Sequence, residues 1–363
     1  MKKRLALSAI CASLLLPGLA FGQTPCPALK QVAQVQMVRD ASGVNWVPVR
    51  VNDTQKLFAL NLGNEWTQIF AEAASDLKLP SSPLSAWAAN QTGEVVDTYG
   101  NRSNKLVVAQ SLKVGAMPVA EDSWLLSDPR RYFIAPIGNP AYGTNKLLAG
   151  KLGYSTLRNY DIDLDFGSNV LGLFSRDHCA GQVVYWTQEP VAVIPFELSA
   201  KAQIRLPVKL DGVALTAIID TGIPHTTLNQ NVAAEDMHID LAASDVQKET
   251  VSGVSIYHRQ FKTLELKGIS FSNLKLEIIP DWMRAAKLGA IKGNPAPSSI
   301  SLNTSSSILS GSTVTMSGGG GPVPNPEDRL PDLIIGADIL NKLHIYIETK
   351  EWKLYVASAG AKQ

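Results

Sequence analysis

The chain has 363 residues, 45% of them hydrophobic, and its 33 basic residues nearly balance 32 acidic ones. That apolar content sustains a substantial core, and the length suits about two domains. A net charge of +1 lacks the broad basic excess that nucleic-acid binding uses, so no nucleic-acid partner is expected.

The N-terminus reads as a secretory signal over residues 1–22. Lys2-Lys3-Arg4 precedes an apolar run from Leu5 to Leu16, then Pro17-Gly18 and the small-residue site Ala20-Phe21-Gly22, with cleavage expected before Gln23. The apolar run is too short to span a bilayer and no later segment approaches that length, so no transmembrane anchor is expected and the protein is read as periplasmic or secreted. Removal of the signal takes Cys11 and leaves Cys26 and Cys179. In an oxidising compartment this even pair suggests a disulfide tying the mature N-terminus to the end of the first half. The rival, a metal site joining Cys179 to His178 and Asp177, lacks a second ligand cluster at zinc-like spacing. Neither metal nor cofactor is expected.

Two segments further on echo each other. Asn61-Leu62-Gly63 in the first half corresponds to Asp220-Thr221-Gly222 in the second. Pro48 lies as far before Asn61 as Pro207 lies before Asp220, and Thr67 and Ile69 follow as Thr226 and Leu228 do. In the second copy, Arg205 to Ile219 alternates as a hairpin joined at Asp211-Gly212, whose second strand delivers Asp220 to the loop beyond its end. Gly222 then permits a sharp turn. A second pair of blocks, Leu152-Gly153 through Asp165 and Ile335-Gly336 through Glu348, matches without a gap. Each reads as a short helix followed by two strands. Such spacing implies an internal duplication in which one copy keeps a carboxylate and the other has an amide.

On these residues the chain resembles the retropepsin-like (gag-pol type) aspartic proteases. In that family an apolar strand ending in Asp-Thr/Ser-Gly-Ala is followed later by Ile-Leu/Ile-Gly-x-Asp-x-Leu and a closing strand; here those elements are Ile218 to Gly222 and Leu333-Ile334-Ile335-Gly336-Ala337-Asp338-Ile339-Leu340. The resemblance covers residues 190 to 357, and the first half joins it through the repeat. It implies a mainly β fold of two pseudo-symmetric retropepsin/pepsin-like acid-protease lobes. The first, degenerate lobe is expected over 23–181, a linker over 182–190, the second lobe over 191–357 and a tail over 358–363. A Ser-, Gly- and Pro-rich tract at about 292–331 has too little apolar content to hold itself in a core and is expected to form a loop. Glu249 to Tyr257, with Gly253 near its tip, is similar to the family's flap over bound peptide; Asp97 to Asn101, with Gly100, would be the first-lobe counterpart.

The family's chemistry requires two facing carboxylates that hold a water, share a proton and exchange acid and base roles. The resemblance makes Asp220, Thr221 and Gly222 the catalytic turn, with Asn61, Leu62 and Gly63 as its degenerate counterpart. Asn61 can donate a hydrogen bond but cannot take or return that proton. Leu62 stands where the family's hydroxyl bridges the lobes, which leaves Thr221 without a hydroxyl partner in the first lobe.

Three readings follow. The first is an exported aspartic endopeptidase acting through an Asp-activated water, with a second carboxylate from Glu65 or from Asp220 of another copy. Glu65 is a poor rescue, because it lies beyond Gly63 on the outgoing arm. The second is a pseudoprotease that binds extended peptide in the cleft, and the third treats Asp220-Thr221-Gly222 as a structural turn. A peptide or protein substrate is expected, with a two-lobed monomer or a homodimer as the assembly. His225 could line a pocket or stand exposed, and Trp66 reads as core packing. The Gly138 to Gly143 segment has phosphate-loop glycine spacing but is followed by Thr144-Asn145, so no nucleotide is implied.

Overall fold

The computed structural model describes residues 26–83, 95–96, 102–103, 105–115, 117–118, 131–134, 145–199, 202–251, 254–280, 301–302, 314–315 and 331–360. The expected signal segment, Gly100 and Gly253 of the expected flaps, and nearly all of the Ser/Gly/Pro-rich tract lie outside them. The described chain is mainly β, with four short helices, Ala71–Asp76, Tyr154–Leu157, Gln230–Glu235 and Ala337–Leu340.

Strands of the first half form a ten-stranded sheet, and those of the second half an eight-stranded sheet. Equivalent segments take equivalent places in the two. Strand Asn45–Val51 is antiparallel to Thr54–Asn61, as Ile204–Leu210 is to Val213–Ile219. Leu210 pairs with Val213, so Asp211 and Gly212 alone turn the chain, at φ 48 and 82. That left-handed pair suits a two-residue hairpin, and it is why Gly follows Asp there.

The outgoing strand of each hairpin then pairs in parallel with a strand from much later in its half. Leu60 and Asn61 lie against Leu152 and Gly153, and Ile219 lies against Ile335. Parallel pairing needs a long crossover. In the second half that excursion includes the hairpin of Val246–Val251 and Val254–Leu266, paired up to Val251 opposite Val254. Strand Val213–Ile219 is buried at Ala217, Ile218 and Ile219, as a strand covered on both faces must be.

A third, six-stranded sheet joins the halves. Asp161–Asp165 pairs antiparallel with Leu343–Glu348, Asp163 opposite Tyr346, and each is flanked by its own return strand, Val170–Phe174 or Lys353–Ser358. The outer strands Gln31–Gln36 and Ala192–Pro195 close its two edges. One apolar core runs through both halves, from Val47, Phe58 and Leu60 to Leu206, Leu228 and Ile335. Cys26 and Cys179 form a disulfide, Cα–Cα 5.3 Å, across 153 residues of sequence. Cys179 is therefore no thiolate ligand, which removes the metal reading with His178 and Asp177.

Closing a loop of that length stabilises the fold by roughly 4 to 5 kcal/mol in the chain-entropy account. A Cys26→Ser/Cys179→Ser variant is accordingly expected to unfold at lower urea concentration than the oxidised wild type, by up to that free energy. An unchanged midpoint would contradict this.

Candidate functional site

The structure brings the two repeated turns face to face. Strands Thr54–Asn61 and Val213–Ile219 deliver Asn61 and Asp220 to the contact between the halves, where both are fully buried. The packing is reciprocal. A Cβ built on Gly63 would lie 2.2 Å from Asp220 Cγ, and one built on Gly222 would lie 2.6 Å from Asn61 Cγ. Each glycine is obligatory because the other half's polar side chain occupies the space over it. Asn61 thus faces the second turn as Asp220 faces the first.

Thr221 ties the turns together. Its hydroxyl donates to the Leu60 carbonyl at 2.8 Å and accepts from the Leu62 N–H at 3.0 Å. The sequence leaves Thr221 with no hydroxyl partner in the first half, and the structure supplies backbone instead. Leu62, fully buried, contributes its main chain to the link while its side chain joins the core. Gln203, 5% exposed, adds a second tie by donating to the Gly63 carbonyl at 3.1 Å. Nothing in the sequence marks Gln203, which sits in an irregular corner before Ile204–Leu210.

Behind each turn lies a second matched layer. The Thr226 hydroxyl donates to Asp338 Oδ1 at 2.6 Å and accepts from Gly336 N–H at 3.0 Å, while Thr226 N–H donates to the same Asp338 oxygen at 3.0 Å. In the first half Thr67 accepts from Gly153 N–H at 3.0 Å and its hydroxyl bonds that of Thr156. Ala337 and Asp338 donate to Ile223 and Pro224 carbonyls, as Tyr154 and Ser155 donate to those of Asn64 and Glu65. A Cβ on Gly153 would lie 2.4 Å from the Trp66 carbonyl, and one on Gly336 2.7 Å from that of His225. The matched Thr67 and Thr226 in the sequence are the signal for this layer, although the repeat alone assigns them no task.

Asp220 sits in an apolar and hydrogen-bonded frame. Its Oδ1 accepts from Gly222 N–H at 2.9 Å, its own N–H donates to Ile335, and Ile218, Ile223 and Ile334 form a small buried cluster on that side. The Asp220 carboxylate is thus fully buried and oriented by a backbone N–H of its own turn. Asn61 offers an acceptor oxygen and two donor hydrogens but no titratable proton.

The remaining sequence-marked residues take other places. Glu65 is half-buried, with its carbonyl committed to Ser155; burial pushes its carboxyl upward, and the Arg158 charge opposes that. His225 is exposed and Trp66 half-buried. Tyr257 is half-buried on the flap-like hairpin opposite Lys248, whose Nζ lies 5.9 Å from its ring centre. Among the described residues one cluster has metal-capable side chains, Asp161 and Glu348 on the shared sheet and His178 in the loop after Val170–Phe174. His178 Nε2 lies 2.5 Å from Asp161 Oδ2, a hydrogen bond, whereas two ligands of one tetrahedral cation stand about 3.3 Å apart. Asp161 and His178 are thus joined directly by a hydrogen bond.

Thr221→Val removes two buried hydrogen bonds and strands the Leu60 carbonyl and Leu62 N–H, so it is expected to cost about 2 to 4 kcal/mol of unfolding free energy. Thr221→Ser retains the hydroxyl and is expected to restore most of it; equal losses in urea titrations would refute the role.

Crystal structures of basic 7S globulin from soybean and of an aspartic proteinase from Irpex lacteus are similar to this protein, at 11% and 12% identity. They cover 93% and 91% of this chain and 98% of each of theirs, with TM-scores of 0.45 and 0.46. No curated protein matches the sequence. Residues 206–339, which contain Asp220, Thr221, Gly222, Thr226 and Asp338, match the family model described as aspartyl protease.

Proposed function

We propose that this chain is an exported, internally duplicated protein of the aspartic-peptidase type, in which Asp220 is the surviving water-activating carboxylate and Asn61 limits turnover. Extended peptide is its ligand, held in the cleft between a first lobe from about residue 23 to 181 and a second from about 191 to 357. The observation that carries this reading is the reciprocal packing of Asp220 on Gly63 and Asn61 on Gly222. The Thr221 link and the Thr226–Asp338 layer support it, because they hold the turn rigidly where a reacting carboxylate needs to be.

The chemistry follows from the donor and acceptor inventory. Asp220 as carboxylate can take a proton from water as that water attacks a peptide carbonyl. Collapse of the tetrahedral species then needs a proton delivered to the leaving nitrogen. In a two-carboxylate site the second acid polarises the carbonyl and completes the exchange. Asn61 can polarise by donating from Nδ2, but it cannot take part in proton return. Binding geometry survives while the acid–base cycle is broken.

A competent endopeptidase is the second reading, favoured by the intact Asp220-Thr221-Gly222 turn. Recruitment of a carboxylate from another copy is disfavoured by the packing, since the space facing Asp220 is filled by the chain's own Gly63.

The variants separate these cases. Asn61→Asp is expected to raise peptide hydrolysis at acid pH by roughly two to four orders of magnitude, the ordinary worth of general acid–base exchange. Asn61→Asp with Leu62→Thr is expected to do so more fully, and Asp220→Asn to abolish cleavage while leaving peptide binding. Products are read by mass spectrometry of a digested protein mixture. Wild-type cleavage that survives Asp220→Asn would overturn the site.

A further inference from the structure

Away from the Asp220 turn, the six-stranded sheet between the halves carries a buried polar seam. The first half contributes Asp161, Asp163 and His178, and the second contributes His344, Tyr346, Glu348 and Thr349, all nine-tenths buried or more. Asp161 Oδ1 accepts from the Thr349 N–H and hydroxyl, both at 2.9 Å, and Oδ2 faces Tyr346 OH at 3.2 Å and His178 Nε2 at 2.5 Å. Asp163 accepts from Tyr185 OH at 2.5 Å and faces His344 Nε2 at 2.6 Å. Trp186 stacks on the His344 ring at 4.4 Å between centroids, and the second ring nitrogen of His344 stands 4.0 Å from Asp165.

His178 decides what this seam does. Its Nδ1 is 3.1 Å from the Cys179 carbonyl while its Nε2 is 2.5 Å from the Asp161 carboxylate. Both nitrogens therefore meet acceptors, and only the doubly protonated ring donates to both. Other charges stand around it. Glu348 belongs to the partner strand and is fully buried, its oxygens taking Lys350 N–H at 3.1 Å and Glu351 N–H at 2.7 Å. Arg176 lies on the near side, its guanidinium reaching the Thr349 carbonyl at 3.4 Å, and Tyr355 on the next strand feels the Asp161 charge.

We propose that this seam is an acid-set lock between the halves, in which protonated His178 holds the Asp161 carboxylate against Tyr346 and Thr349 of the second half and loss of its proton loosens the joint. Side-chain ligand atoms of Asp161, His178 and Glu348 all lie within 4.8 Å of one another, so the imidazolium charge offsets two buried carboxylates. Without it that offset is lost, and Nδ1 or Nε2 is left facing an oxygen with no hydrogen between. The reading stands apart from Asp220 and would hold whether or not turnover occurs.

The direction of the pH effect follows. Burial alone lowers the His178 pKa, but the bonds to Asp161 and the Cys179 carbonyl and the charges of Asp161 and Glu348 outweigh it, and the value is raised. Burial, with the Asp161 and Glu351 charges, also raises Glu348 against the pull of its two backbone donors. A raised group favours folding in its protonated state, so the contribution of His178 is complete below about 6.5, the ordinary histidine value, and is lost as pH climbs through the folded value. Glu348 acts in the same sense from a lower starting point.

Hydrogen exchange resolved by segment tests this. After correction for the intrinsic rate, opening of 161–165 and 343–348 is expected to increase as pH rises from about 6.5 to the folded value of His178, approaching tenfold per pH unit for one proton, and to level off above it. Strand Val213–Ile219 should change less. His178→Gln, which cannot charge, is expected to open the seam already at acid pH and to flatten the dependence. A wild-type seam with no pH response, or a His178→Gln protein with the wild-type slope, would overturn the lock. Should that variant not fold, the His178 ring can be titrated by NMR in the wild type: a midpoint above the ordinary value supports the proposal, and one at or below it refutes it.

Discussion

Everything at the centre of this molecule depends on two glycines that leave room for two polar side chains. Asp220 rests where a Gly63 side chain would be, and Asn61 rests where a Gly222 side chain would be. Backbone approach of that kind needs the turns to be held within a few tenths of an ångström. Thr221 does this by gripping the main chain on either side of Asn61, donating to Leu60 and accepting from Leu62. Because the grip uses backbone atoms of the first half, a leucine at position 62 is tolerated without separating the turns.

From that contact the rest of the architecture follows outward. The parallel pairing of Val213–Ile219 with Leu333–Ile335 fixes where Asp220 leaves its strand, and Gly336 lets the following helix pack on the His225 carbonyl. The first half repeats the arrangement with Thr54–Asn61, Leu148–Gly153 and Trp66. Farther away, the shared sheet joins the halves through buried ionisable groups. A wholly apolar joint would hold regardless of pH, whereas one built on Asp161, His178 and Glu348 responds to protons.

Much of the frame is legible in the sequence because it rests on residues with few alternatives. Asp211-Gly212 announces a two-residue hairpin, and Gly153 and Gly336 stand at the same place in two blocks that match without a gap. Pairing of Cys26 with Cys179 follows from the even count that an exported chain would keep. The backbone grip of Thr221 is not legible, since main-chain donors at Leu62 look the same in any sequence. Gln203 is hidden for a related reason: a lone glutamine between two short strands carries no pattern until the fold sets it against Gly63. The seam is hidden too, because Glu348 and Thr349 are far in the chain from Asp161 and His178 and reach them only when the two halves pair.

The central proposal is that Asn61 stands where a two-carboxylate site has its second acid, so that residues 61 and 220 share no proton in the wild type. Carbon-13 NMR of labelled aspartate, followed through acid pH in the wild type and in Asn61→Asp, measures this directly. The account predicts one titration step for Asp220 in the wild type and, in the variant, two coupled steps shared by residues 61 and 220. Coupled two-step titration in the wild type, or an Asp220 curve unaltered by Asn61→Asp, would contradict it.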